Sequence, residues 1–361
     1  MKLLACATQG SGSEDEKRLR ALVSGFDATF FEFSRSSKRT SALKLLAELR
    51  SRRFDLFILE GTGFAGGLAA ILGRRLWGVP YVFSSGDAVA PFLTAQLPLG
   101  APLFSWYERS LCKHASGFIG WTPYLVGRAL TYGTPRAITV PGWAPHADRP
   151  GVKEAGQAIR RSFKIPDDAV VFGLAGSLVW SSRFAYCYGA ELVRAARLAG
   201  DKAYVLILGD GSGLDKLKEL AGPALGVNIF LPGRVSREEV PAYLAAIDVG
   251  SIPQSVDGVG NFRYTTKISE YKAAGLPFIT NQIPMAYDLD DGGIFRLPGS
   301  SPWDTVFLNA LAELMQRLTL GEIAEKLSGV QPGGEFDKDR QLARTRDFLH
   351  DVFAAEASSR P

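Results

Sequence analysis

The sequence is poor in the side chains that bind metals or cross-link chains. Its 361 residues include three cysteines and three histidines. Cys6, Cys112 and Cys187 are scattered, odd in number and without a CxxC pair, which argues against a disulfide framework and a structural zinc site. His114, His146 and His350 share no ligand spacing. This cysteine usage fits a reducing, cytoplasmic setting. Long hydrophobic runs are also missing: none reaches the roughly 18 residues of a membrane span. The longest weakly charged stretch, from Ala88 to Tyr107, is interrupted by Pro91, Pro98 and Pro102. The apolar opening, Met1 to Thr8, is too short for a secretory signal and runs directly into a Gly/Ser loop, so it reads as a first strand.

The length calls for two domains rather than one. A hydrophobic share of 46% is ordinary for a globular chain. Net charge is +4, but it is unevenly spread. Residues 1–145 carry 17 Lys and Arg against 10 Asp and Glu, while residues 146–361 carry 24 against 27. A basic first half points to an anionic partner or an anionic membrane surface. Nucleic acid is not expected, because no finger, recognition helix or aromatic RNA platform is present.

Short apolar runs alternate with helical stretches. In the first half the expected strands are Leu3–Ala7, Ala28–Phe33, Leu56–Glu60, Tyr81–Ser84, Gly117–Gly120 and Ala137–Val140. Expected helices between them include Asp15–Ser24, Ser41–Arg52, Gly67–Leu76, Pro102–Lys113 and Pro123–Tyr132. The second half repeats the theme, with strands at Val170–Ala175, Tyr204–Leu208, Asn228–Leu231, Val249–Ile252 and Phe278–Asn281. Its expected helices are Phe184–Ala199, Gly213–Ala221, Ser236–Ala246, Thr266–Ala274 and one from about Asp304 to Thr319. Such alternation predicts α/β architecture with two doubly wound parallel sheets. The expected domains are residues 1–145 and 146–335. A terminal helix within 336–361 follows a Gly/Pro break at Gln331 to Gly334 and is placed back on the first domain. Ligands of open α/β sheets sit at the carboxyl ends of the strands, so two such domains predict a site in a cleft they share.

The segment from Thr266 to Thr280 carries the most chemistry. Thr265 or Thr266 suits a helix N-cap, Gly275 the left-handed position past the end, and Pro277 stops the helix before an apolar strand. Lys267 adds a full positive charge to a helix N-terminus that already attracts anions. Glu270, one turn in, offers an ionised carboxylate to two ribose hydroxyls. As an isolated pattern, a Lys-x-x-Glu pair is ordinary helix support. Its position after four other strand-end loops sets it apart. Those loops are Gly173 to Arg183, Leu206 to Gly213, Pro232 to Leu244 and Asp248 to Gln254.

In that order, the five motifs over about residues 168–282 resemble the nucleotide-sugar domain of the family 4 glycosyltransferases. That family has the GT-B architecture, two Rossmann-like doubly wound domains facing a central cleft. The first half resembles it only in general pattern. The resemblance implies a retaining transferase that moves a sugar from a UDP- or GDP-sugar to a hydroxyl of a glycan, a lipid-linked or a small-molecule acceptor. It implies that Gly176 and Ser177 admit the diphosphate, that Arg183 and Lys267 grip it, that the Val235 backbone meets the base, and that Glu270 holds the ribose. Backbone N–H groups of Tyr264, Thr265 and Thr266 are candidates for the phosphate, the alternative being that the polar, glycine-rich loop before them merely covers the cleft. One departure stands out: an acid common in the family eight residues before Glu270 is Phe262 here, so Asp257, Asn261 or Arg263 are the candidates for donor-sugar contacts. On the acceptor side the candidates are Gly10, Ser11 and Gly12 after the first strand and Asp87 after the fourth. Asp87 joins Arg183 and Lys267 as a catalytic candidate.

No cofactor or metal is expected. No Asp-x-Asp pair sits where a metal-held diphosphate would need one, and the adjacent Asp290 and Asp291 lie in a loop. The apolar residues Phe92, Leu93, Leu97, Leu99, Leu103, Phe104, Trp106 and Tyr107 read either as a core helix with its covering loop or as an acceptor or lipid-facing surface. The basic run from Arg35 to Arg53 supports the second reading, with the protein peripheral at the inner face of a membrane. Two alternatives remain from the sequence: a non-catalytic nucleotide-sugar-binding subunit and another GT-B enzyme such as a sugar-nucleotide epimerase.

Overall fold

The computed structural model describes residues 1–143, 151–328 and 336–358. The expected domain boundary at 145/146, His146 and the Gly/Pro break at 331–334 lie outside these residues. The chain divides into two compact units. The first comprises Met1–Gly142, Phe262–Tyr264 and Asp337–Pro361, and the second Trp143–Asn261 and Thr265–Phe336.

The first unit is built on a six-stranded parallel sheet. Its strands are β1 (Lys2–Ala7), β2 (Asp27–Phe30), β3 (Leu56–Glu60), β4 (Tyr81–Ser85), β5 (Gly117–Gly120) and β6 (Ala137–Thr139), in the order β2-β1-β3-β4-β5-β6. Every residue of β3, β4 and β5 is buried, as expected for parallel strands covered on both faces. The connecting helices are α1 (Glu14–Leu22), α2 (Lys38–Ser51), α3 (Phe64–Trp77), α4 (Val89–Gln96), α5 (Ala101–His114) and α6 (Pro123–Thr131). Pro91 is tolerated in α4 because it falls in the first turn, whose N–H groups have no intrahelical acceptor. The apolar α4–α5 segment is divided. Tyr107 is fully buried in the core, whereas Leu97, Leu103 and Trp106 are about half exposed or more and Leu99 is 94% exposed.

A second six-stranded parallel sheet forms the other unit. It contains β7 (Val171–Ala175), β8 (Tyr204–Leu208), β9 (Ile229–Gly233), β10 (Val249–Ser251), β11 (Phe278–Asn281) and β12 (Ile294–Leu297), ordered β12-β11-β10-β7-β8-β9. Its helices are α7 (Val152–Ser162), α8 (Ala190–Ala199), α9 (Leu214–Ala221), α10 (Val240–Ala245), α11 (Thr266–Ala273), α12 (Met285–Asp288), α13 (Thr305–Arg317) and α14 (Leu320–Leu327). The last helix, α15 (Lys338–Ser358), packs with the first unit. There Glu356 takes a two-pronged pair from Arg74 at 2.7 and 2.9 Å, and Gln341 bonds both the N–H and the carbonyl of Gly142.

Two expected helices are shorter than their sequence pattern. The one expected from Phe184 begins at Ala190, because a bridge between Ser181 and Tyr186 and positive φ at Ala185 and Gly189 force an irregular path first. The one expected from Ser236 begins at Val240, after a turn in which Glu239 accepts from the Ser236 amide at 3.0 Å. Strand β12 and helix α14 were not expected at all.

Candidate functional site

In the second unit the loops at the carboxyl ends of the strands interlock through their backbones. The N–H of Gly176, just after β7, donates to Leu208 of β8 at 2.9 Å, and that of Gly209 donates to Gly233 of β9 at 2.9 Å. A side chain at Gly209, whose φ is +142°, would run into the Gly176 carbonyl. Glycine at 209 is therefore required by close backbone packing.

Lys267 lies against this edge. A Cβ on Gly176 would stand 2.6 Å from Lys267 Cε and 2.8 Å from Nζ, so the bare glycine makes the seat for the lysine head. The ammonium also lies 4.5 Å from the ring centroid of Tyr188, in cation–π range. Gln254, just beyond β10, donates from Nε2 to the Tyr188 hydroxyl at 3.1 Å, and its own N–H is held by Asn281 Oδ1 at 3.1 Å. Glu270 follows one turn along α11. Burial pushes its carboxyl above the usual range and Lys267 pulls it back down. The result is a more basic hydroxyl acceptor than a surface glutamate.

The N-terminus of α11 carries no side-chain cap. Thr265 occupies the N-cap position, but its hydroxyl is buried without a hydrogen-bond partner, and Thr266 is exposed. The capping expected from either threonine is thus not formed. The first-turn N–H groups keep their capacity for an anion. The chain reverses as expected at Gly275, where φ is +62°.

The structure brings Gly176, Lys267 and Glu270 together, with Ser177 next to Gly176 and Thr265 and Thr266 next to Lys267. Arg183 is exposed and stacks over its neighbour Phe184 at 5.1 Å. Phe184 in turn stacks on Trp303, with centroids 4.6 Å apart. Ser177 is exposed beside Gly176, and Val235 is half-buried in the loop after β9. Tyr264 is buried in the first unit, edge-on to Tyr124. Asp290 and Asp291 are held by Arg296 and Lys272 respectively.

Reasoning from the sequence missed Tyr188, Gln254 and Glu191. Glu191 is fully buried in the first turn of α8 and accepts from Tyr186 Oη at 2.9 Å, Gly189 N at 2.9 Å and Ser251 Oγ at 2.8 Å. It thereby pins both sides of Tyr188 to β10. The signal that had been available is a lone acid on an otherwise apolar helix face.

In the first unit, Gly10 and Gly12 adopt the positive φ their loop requires, +93° and +78°. The loop's amides are largely engaged within it: Gly10 N–H donates to Ala7, Ser13 N–H to Gly10, and Gly12 N–H to Glu16 Oε2 at 2.5 Å. Ser11 is exposed. Asp87 is bound by Arg263 at 2.6 Å, so its carboxylate already has a cationic partner. This is also where Arg263, a candidate for sugar contacts, is placed. A second group of polar residues lies at the same end of the sheet. Glu60, the last residue of β3, is buried 3.9 Å from Arg18 Nε. Ser84 Oγ and Trp121 Nε1 face its carboxylate and favour the ionised form, although neither they nor Oε2 makes a hydrogen bond of good geometry. Burial pushes the Glu60 carboxyl up to about 7, with Arg18 opposing the shift. Nearby Asp15 is also raised, chiefly by burial.

Comparison with known proteins identifies the architecture. Residues 3–143 match the glycosyl transferase 4-like domain family, and residues 169–317 match glycosyl transferases group 1. The chain belongs to the family 4-type glycosyltransferases. Its two Rossmann-like units are those of the GT-B fold. HepE from Anabaena, solved with UDP and glucose, superposes with a TM-score of 0.68 at 15% identity over 97% of this chain and 100% of its own. Sucrose-phosphate synthase from Thermosynechococcus elongatus gives 0.66 at 14% identity, over 98% and 100% of the two chains. A UDP-forming trehalose-phosphate synthase from Burkholderia xenovorans gives 0.64 at 12% identity, over 98% and 99%. No curated protein matches the glycosyltransferase chain by sequence.

Proposed function

We propose that this glycosyltransferase transfers a sugar, with retention of configuration, from a UDP- or GDP-sugar to a hydroxyl of a glycan, a lipid-linked or a small-molecule acceptor. The observation that carries this reading is the seating of Lys267 against Gly176, one turn from Glu270, on the uncapped N-terminus of α11. A departing diphosphate gains negative charge as its bond to the sugar breaks. A fixed ammonium and a helix N-terminus stabilise that charge without reorganising during the reaction. Glu270 accepts the ribose hydroxyls and so sets the nucleotide's register. Arg183 is assigned to the diphosphate as well, which requires its guanidinium to leave Phe184. Asp87 is assigned to the acceptor hydroxyl, with its carboxylate held in place by Arg263. No resident metal is needed in this scheme. HepE in complex with UDP-glucose and the UDP-forming synthase support testing uridine donors first.

The deciding experiment incubates the protein with labelled UDP- and GDP-sugars and a panel of hydroxyl acceptors. Transferred label supports the proposal. An epimerised nucleotide, or binding without turnover, replaces it with one of the two alternatives.

Contact with an anionic lipid surface at the first unit belongs to the same proposal. It is supported by the exposed Leu97, Leu99, Leu103 and Trp106 and by the basic residues of α2. Among the described residues no helix is long and apolar enough to cross a membrane. Salt-sensitive co-sedimentation with anionic vesicles is the expected result, and none at low salt removes this part.

A further inference from the structure

In the donor site a buried glutamine amide sets the hydrogen-bonding role of one phenol. A glutamine Nε2 only donates, so in the Gln254–Tyr188 bond the phenol oxygen is the acceptor. The phenol's own hydrogen must point elsewhere. It finds no acceptor among the described residues. The same ring lies beneath the Lys267 ammonium, and that ammonium lies on Gly176. The phenol is not free to swing away. Gln254 is buried and anchored to Asn281, and Glu191 fixes Tyr186 and Gly189 on either side of Tyr188.

We infer that Tyr188 is a second anion-binding group of the donor site, its O–H donating to a diphosphate oxygen beside Lys267 while its ring face positions the ammonium. The inference rests on the nucleotide-sugar reading and deepens it. An ammonium alone is a point charge with rotatable donors. A phenol O–H held by a buried amide adds a fixed direction. The ligand class is a diphosphate with two neighbouring anionic oxygens, and the nucleoside itself makes no contact with Tyr188. The Gln254–Tyr188–Lys267 arrangement also explains why Gln254 is buried at a strand end with its amide turned toward a phenol.

The test is calorimetric titration of the full chain with UDP, GDP, ADP and the corresponding nucleosides, comparing wild type with Tyr188→Phe and Tyr188→Leu. The phenylalanine variant keeps the ring and its packing but leaves the buried Gln254 amide without its acceptor, so it stays folded with a modestly lower melting temperature. It is expected to bind the preferred nucleoside diphosphate about 10-fold more weakly, the typical effect of losing a hydrogen bond to a charged group. The affinity for the nucleoside is unchanged. The leucine variant, which also removes the seat of the ammonium, is weaker still. Wild-type diphosphate affinity in Tyr188→Phe overturns the inference while leaving the donor site in place. Equal losses for diphosphate and nucleoside also overturn it, because the role is then one of general packing. If wild type binds no nucleoside diphosphate, the donor-site reading itself fails and the inference falls with it.

Discussion

Glu191 in the second unit and Glu60 in the first are both almost fully buried at the strand-end edge of a parallel sheet, yet their surroundings differ. Glu191 receives three hydrogen bonds, from a phenol, a backbone amide and a serine. Glu60 faces a guanidinium 3.9 Å away and has one oxygen without a hydrogen bond. Burial raises both carboxyls, but at Glu191 hydrogen bonds of good geometry oppose the rise and fix the side chain, while at Glu60 the main opposing group is the more distant Arg18. The difference separates a pre-organised edge in the second unit, where the donor is proposed to bind, from a first-unit edge whose charge changes near neutral pH.

Removing the joint should give the largest effect. Glu191→Ala leaves three buried donors without their acceptor, each worth about 1–3 kcal/mol. Thermal unfolding of the second unit should fall accordingly, and with it nucleotide binding. Wild-type stability in this variant would mean that the network is not what holds the Tyr186–Gly189 segment.

The other side of the comparison is a pH effect. The Glu60 carboxyl titrates near 7 in the folded chain against an ordinary value of 4.5. Its contribution to stability is complete below about 4.5 and is lost as pH rises through about 7. A shift of that size corresponds to roughly 3 kcal/mol. Stability of the first unit measured from pH 4.5 to 8 should therefore decline in wild type and decline less in Glu60→Gln. Identical slopes would place the carboxyl in an ordinary ionised state and erase the contrast with Glu191.

Much of the frame was legible in the sequence. All six strands of the first sheet are close to their expected positions, because buried parallel strands read as short apolar runs between Gly- and Ser-rich loops. The α11 segment was legible as well, since Lys267, Glu270, Gly275 and Pro277 act locally. What was not legible depends on contacts between elements far apart in the chain. Nothing in the pattern from Trp180 to Gly189 shows that Tyr188 meets a lysine nearly eighty positions later, or that a helix-like run has positive φ at Ala185 and Gly189. Arg183 illustrates the converse: the family resemblance implies a diphosphate role for it, but its side chain rests on Phe184. Asp87 was visible as a loop acid, while its partner Arg263 is 176 residues away.

Smaller effects sharpen the donor side. Glu270→Ala should weaken nucleoside diphosphate binding by roughly 10-fold, as expected for lost hydrogen bonds to a carboxylate. Unchanged affinity would take the ribose role away from it. The smallest expected effect is that of a chelator: transfer measured with and without EDTA should agree, and loss of activity would move the leaving-group charge onto a metal ion.

The central claim is that the ammonium seated on Gly176 carries the leaving diphosphate. Lys267→Met keeps the length and apolar stem of the side chain and removes its charge. Transfer from the preferred nucleotide sugar, measured with the folded variant, should fall by about 100-fold or more, the usual cost of removing a charge-stabilising group from an active site. A variant that folds normally and transfers at the wild-type rate would contradict the account.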